Sequence, residues 1–182
     1  MKKLIFIPLF AVAVLAFLLV GCLGTPDNIK PVSNFKLEKY LGTWYEIARF
    51  DFIHEEGLNQ VTAIYSLRCA DEVKVVNRGY ETEKSRWKES EGKAFFVDGK
   101  DKGYLKVSFF WPFYSSYVVF DIDEDYQHAL VTSSDKSNLW ILSRTPTIPD
   151  DVKLNLVAKA KAAGFDTTKL VYVDQTEVPK TR

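Results

Sequence analysis

The sequence predicts an all-β fold: an eight-stranded antiparallel up-and-down barrel, with a C-terminal α-helix packed outside it and a short ninth strand. Three observations predict it. From Thr43 onward, eight short apolar segments alternate with stretches rich in Asp, Glu, Gly, Ser and Lys. The segments follow one another through short loops, as strands of a meander do. Helical periodicity appears after the eighth segment. A sheet of that size closes or splits to avoid exposed edges, and closure encloses room for one small ligand.

The first strand is expected at residues 44–50 and the second at 61–67, after a polar loop with His54, Glu55, Glu56 and Gly57. The turn at Ala70-Asp71 leads to the third, residues 72–80. The remaining five are expected at 92–97, 103–110, 117–122, 128–133 and 139–144, separated by turns such as Asp98-Gly99-Lys100 and Ser134-Asp135-Lys136. A helix then starts near Ile148-Pro149-Asp150-Asp151, where acidic residues suit the positive end of the helix dipole. Val152, Leu156, Ala160 and Ala163 form its apolar stripe, and Gly164 followed by Phe165 reads as its C-terminal stop. That stripe is expected on the outside of the barrel. Residues 169–173 read as the ninth strand.

The N-terminus is not part of this fold. Lys2 and Lys3 precede an uncharged run from Leu4 to Val20, which reads as a secretory signal over residues 1–21. The ending Leu19-Val20-Gly21-Cys22 resembles a bacterial lipobox. That resemblance implies acylation of Cys22 after cleavage; the competing reading is an uncleaved anchor helix. Residues 22–32, with Gly24, Pro26 and Pro31, read as a lipid-anchored tether, and residues 33–182 as the domain. Of 182 residues, removal of 21 leaves 161, enough for one domain with its own core. Loss of Lys2 and Lys3 leaves 22 basic against 24 acidic residues, a net of −2, and no basic run predicts nucleic-acid binding. With Cys22 acylated, Cys69 has no partner for an intramolecular disulfide.

Gly42-Thr43-Trp44-Tyr45 looks like the G-x-W motif of the lipocalins. Asp123-Glu124-Asp125-Tyr126 stands where that family has an acidic-aromatic loop, and Arg144 ends the eighth strand where the family has a single Arg. The resemblance covers roughly residues 33–175. It is closest to the bacterial outer-membrane lipocalins (Blc-type), themselves similar to apolipoprotein D, through residues 42–50, 107–114 and 139–146. It implies structural roles for Gly42, Trp44, Asp125, Tyr126 and Arg144, with the Arg144 guanidinium over the Trp44 indole at the narrow end. It also implies a fatty acid or lysophospholipid as ligand, and a role in envelope maintenance under stress. Leu23, rather than Asp, follows the Cys, which implies the periplasmic face of the outer membrane.

Strand alternation then assigns faces. With Trp44 inward, Glu46, Ala48 and Phe50 are expected inside. With Arg144 inward, Leu142 and Trp140 are expected inside, and Leu139 and Ile141 under the helix. Leu105, Val107 and Phe109 are expected inward in the fifth strand. The aromatic run through Phe109, Trp111, Phe113 and Tyr114 falls at the end opposite the acidic loop, hence near the mouth. The expected ligand contacts are therefore Trp140, Leu142, Phe109, Trp111, Phe113, Tyr114, Ala48 and Phe50. The exposed rim could also meet membrane or a second copy of the chain, as in a homodimer. Glu46 is expected to pair with a basic residue of a neighbouring strand.

Enzyme chemistry finds little support. Neither His54 nor His128 has metal-ligand spacing, and no phosphate loop or nucleophile elbow is present. No catalytic residue, metal or cofactor is expected. Two alternatives are kept: an isomerase of lipocalin fold using Cys69, and a structural envelope lipoprotein without a cavity.

Overall fold

The computed structural model describes residues 23–53 and 55–176. The signal segment, Cys22 and His54 lie outside the described residues. Nine strands form one sheet: β1 (Gly42–Phe50), β2 (Leu58–Cys69), β3 (Glu72–Glu81), β4 (Arg86–Phe96), β5 (Tyr104–Phe110), β6 (Phe113–Ile122), β7 (His128–Thr132), β8 (Leu139–Ser143) and β9 (Leu170–Tyr172). The spatial order is β2-β3-β4-β5-β6-β7-β8-β1-β9, and β1 also pairs with β2, which closes the barrel. Every pairing from β1 through β9 is antiparallel. The longer helix, α2 (Asp150–Ala162), follows β8, and a one-turn helix, α1 (Leu37–Tyr40), precedes β1.

Two apolar clusters occupy the two faces of the wall. The inner one gathers Trp44, Ala63, Tyr65, Val73, Val75, Ala94, Leu105, Ala129, Val131 and Leu142, with Val107, Phe109 and Trp140 packed against it. The outer one joins Leu156 and Ala160 of α2 and the following Phe165 to Val118, Leu130, Leu139 and Ile141. The helix thus covers the outside of the barrel, as its stripe predicts. Lys159 holds it to β6 through Asp121 at 2.8 Å, and Lys136 donates to the Ala163 carbonyl at its C-terminus.

Ala48 and Phe50 correct the expected faces. In the β1–β8 ladder, Glu46 pairs with Leu142 but Ala48 pairs with Ile141, so Ile47 is an extra residue on β1. A bulge of this kind shifts the alternation by one. Ala48 and Phe50 therefore join the outer cluster beneath α2, and Phe50 lies edge-on to Phe165 at 6.2 Å. Arg49 takes the inward phase in their place, opposite Trp140.

β9 fills the gap where β1 and β2 diverge. It pairs with Ala48–Phe50 of β1. Beyond it, Gln60 N donates to the Asp174 carbonyl, and the Gln175 amide donates to the carbonyls of Glu46 and Val61 at 2.8 and 3.0 Å. The N-terminal segment, read as a tether, is docked rather than free. Ile29 is buried in the outer cluster, and Val32 exchanges backbone hydrogen bonds with Val119 and Gly103.

Candidate functional site

The barrel is sealed at the end where β1 begins. The Arg144 guanidinium lies over the Trp44 ring, 3.9 Å from its centroid. It donates to four backbone carbonyls, those of Lys39, Leu41, Thr43 and Tyr126. Two of these acceptors belong to the end of α1, whose carbonyls have no partner inside the helix. The Trp44 indole N–H donates to the Tyr40 carbonyl at 2.8 Å. Gly42 stands at φ +97°, and a Cβ there would meet the guanidinium at 3.4 Å. The glycine of the motif thus answers a backbone need: it turns the chain into β1 at a φ that L side chains rarely adopt.

The acidic loop between β6 and β7 meets the same seal. Tyr126 adopts φ +58°, gives its carbonyl to Arg144, and accepts from the Lys36 backbone N–H through its hydroxyl. Asp123, not Asp125, organises this loop: its carboxylate accepts from the backbone N–H groups of Asp125, Gln127 and His128. Asp125 contributes main-chain atoms, and its side chain is exposed. His128 has its Nδ1 3.3 Å from the Asp123 carboxylate, a structural partnership within the turn.

Immediately above Trp44 lie three phenols that the sequence reading missed. Tyr40 and Tyr65 both hydrogen-bond the Tyr117 hydroxyl, at 2.6 and 2.7 Å. Burial pushes the ionisation of all three well above the ordinary phenol range, so they are neutral donors and acceptors. Alternation in β2 through Val61, Ala63 and Tyr65 could have signalled one of them. Tyr40 could not be found this way, because it lies on a helix of four residues.

Higher up, the inner face carries a second polar group. Arg49 Nη1 is 3.5 Å from the Glu46 carboxylate, and Arg49 Nε is 3.6 Å from that of Glu55. Its Nη2 also donates to the Glu55 carbonyl at 2.6 Å and approaches Asp51 at 3.4 Å. Glu55 in turn accepts from the Trp140 indole N–H at 3.2 Å. Glu46 thus pairs with a base, but one on its own strand that the bulge turned inward. Burial, and then the neighbouring Glu55 carboxylate, hold the Glu46 carboxyl well above its usual range despite Arg49. Burial also raises Glu55, against the pull of Trp140 and Arg49.

The expected ligand contacts separate into groups. Trp140 and Leu142 lie on the inner face as alternation predicts, and Phe109 packs beside that cluster. Its ring occupies the space a side chain at Gly92 would need, 2.8 Å from an ideal Cβ. Trp111 and Phe113 are 76% and 69% exposed at the β5–β6 turn, opposite the sealed end. Tyr114 instead packs on the outer wall, with Lys106 Nζ 5.3 Å from its ring centroid and Phe95 at 6.3 Å. Alternation explains this, because Lys106 lies between the inward Leu105 and Val107. Cys69 is exposed at the β2–β3 turn, beside the sealed end. Among the described residues, no group of three or more His, Cys, Asp or Glu could hold a metal. No described helix is long and apolar enough to cross a membrane.

Comparison with known proteins agrees with this geometry. A family model described as a lipocalin-like domain matches residues 35–175. The chain is 54% identical over 159 residues to the outer membrane lipoprotein Blc of Vibrio cholerae, covering 87% of this chain and 93% of the relative. It is 50% identical over 171 residues to the protein of that name from Escherichia coli K12, with 93% and 97% covered. Apolipoprotein D of Bos taurus is 30% identical over 155 residues, with 81% and 80% covered. Among solved structures, insecticyanin from the tobacco hornworm superposes with a TM-score of 0.67 at 20% identity, covering 85% of this chain and 88% of that one.

Proposed function

The chain belongs to the lipocalin family and is an outer-membrane lipoprotein; on that premise we propose that it binds, stores or carries a lipid with one long acyl chain inside its barrel. The observation that carries the reading is the inner face itself. Val73, Val75, Leu105, Val107, Phe109, Val131, Trp140 and Leu142 form an apolar wall above a floor sealed by Trp44 and Arg144. A wall of that kind rewards each buried methylene with about 0.8 kcal/mol.

The polar groups on the wall bear on the headgroup. Glu46 and Glu55 share Arg49 between them. A free fatty acid would bring a further carboxylate to this cluster, whereas a lysophospholipid would bring phosphate and, in some classes, an ammonium. Both remain within the proposal, and paired titrations with palmitate and lysophosphatidylethanolamine decide between them. Acylation of Cys22 anchors the protein on the periplasmic face, and lipid handling there serves envelope maintenance under stress. A precursor that accumulates in globomycin, and outer-membrane fractionation lost in Cys22→Ala, test the anchor. A Cys22→Ala protein still held in the membrane would contradict it. Retained lipid binding in Cys69→Ser tests the reading against a thiol isomerase.

A further inference from the structure

We propose that the mouth of the barrel is pressed against the membrane, with Phe110, Trp111 and Phe113 inserted at the lipid interface, so that acyl chains pass directly between bilayer and lumen. The inference rests on the acylation of Cys22. Its own support is the path of the chain that follows that residue.

The leash is almost absent. Residues 29–35 are fastened low on the barrel: Phe35 N donates to Asp101, Gly103 N donates to Val32, and Val32 N donates to Val119. From there the chain runs back along the outer wall toward the mouth. Ile29 is buried on that wall, and Gly24 N donates to the Ser116 hydroxyl at 2.9 Å. Ser116 lies three residues from Phe113, the first residue of β6. That separation is about 10 Å of extended strand. Cys22 precedes Gly24 by two residues, at most about 7 Å of chain. With the hydrogen bond between Gly24 and Ser116 included, chain reach limits a lipid on Cys22 to within about 22 Å of the aromatic turn.

The turn is built to meet a lipid surface. Phe110, Trp111 and Phe113 are 76%, 76% and 69% exposed, and Leu23, which precedes the Gly24 bonded to Ser116, is 45% exposed. Ile53, in the β1–β2 loop at the same end, is 81% exposed. Three large aromatic side chains exposed together on one turn are uncommon on a surface that meets only water. Trp favours the headgroup level of a bilayer, and a second attachment converts a marginal lipid anchor into a stable one. Charge at this end is mixed, with Asp51 and Glu56 on the β1–β2 loop and Lys84 and Arg86 at the β3–β4 turn, so insertion here is driven by apolar contact rather than by attraction to anionic lipid.

The test uses the mature chain in a Cys69→Ser background, coupled at Cys22 to a maleimide lipid in phosphatidylethanolamine/phosphatidylglycerol vesicles. Coupling fixes the anchor, so this result stands apart from whether the cell acylates Cys22. Phospholipid brominated near the headgroup should quench tryptophan emission, and Trp111→Phe should remove most of that quenching. The triple change Phe110→Ser, Trp111→Ser, Phe113→Ser should slow transfer of a pyrene fatty acid from vesicle to protein about tenfold. Its affinity for the same fatty acid in solution, measured alongside because Trp111 and Phe113 stand among the expected ligand contacts, should fall far less than the transfer rate. Quenching that persists in Trp111→Phe, absence of quenching, or a triple variant with unaltered transfer would overturn the proposal. So would protection of Trp111 by a second copy, seen as a cross-linked dimer without quenching. Absence of pyrene fatty-acid binding in solution would instead count against the lipid-binding reading, with the quenching result still deciding the orientation.

Discussion

Arg144 does more at residue scale than an aromatic stack requires. Besides the Trp44 ring it joins carbonyls from α1, β1 and the β6–β7 loop. Cation–π contact adds about 0.5–2 kcal/mol, and hydrogen bonds to a charged group add about 1.5–3 each. These increments do not add, because the freed carbonyls at this partly exposed end regain water, so Arg144→Ala should lower stability by about 2–4 kcal/mol in denaturant titrations and leave acyl-chain affinity of the folded fraction nearly unchanged. Arg144→Lys should recover little, since an ammonium cannot span four acceptors. Trp140 should behave in the opposite sense. Trp140→Ala is expected to weaken lipid binding by about 1–3 kcal/mol, because it removes a large inner-wall ring. Trp140→Phe separates ring from hydrogen bond: it keeps the wall but leaves Glu55 without its indole partner. Glu46 supplies a pH signature. Its folded pKa is raised above the ordinary value of 4.5, so the folded state prefers the neutral form. That contribution is full below 4.5 and is lost as pH rises through the folded value. Thermal melts of the wild type should fall across that window relative to Glu46→Gln, whose melting temperature should show a shallower decline.

At the scale of elements, one inserted residue decides most of what strand alternation could and could not read. Trp140 and Leu142 were legible because β8 is regular through Ser143. Ala48 and Phe50 were not, because the extra Ile47 exchanges their face with that of Arg49, and apolar residues suit either side of a wall covered by α2. The same ambiguity hid the outward placement of Tyr114 on Lys106 and Phe95. The Trp44–Arg144 contact was legible through motif resemblance alone, since no periodicity brings residues a hundred positions apart together. The tyrosine cluster was missed because it joins a four-residue helix to two distant strands. One prediction belongs here. Gly92 on β4 faces Phe109 on β5 with no room for a Cβ, which would fall 2.8 Å from both the ring and the Ser108 carbonyl. Gly92→Ala should destabilise by about 1–3 kcal/mol, as overpacking does, measured by the urea midpoint at constant m-value.

Taken as a whole, the molecule is a wall with two differently used faces. Outside, α2 and the docked N-terminal segment cover β1 and β5–β8 with Leu156, Ala160, Phe165 and Ile29. Inside, an apolar lining runs from the tyrosine floor up to the Arg49 cluster. A lining with those properties selects ligands by apolar length. Affinity should rise through the saturated fatty acids or their lysophospholipids at up to about 0.8 kcal/mol per methylene until the lumen is filled. The most direct measurement is isothermal titration of the folded domain with octanoate, laurate, palmitate, lysophosphatidylethanolamine and retinol. The account predicts saturable binding of the long-chain lipids, strengthening with chain length and weakened in Trp140→Ala. Affinity independent of chain length, or retinol binding without any acyl-chain binding, would contradict it.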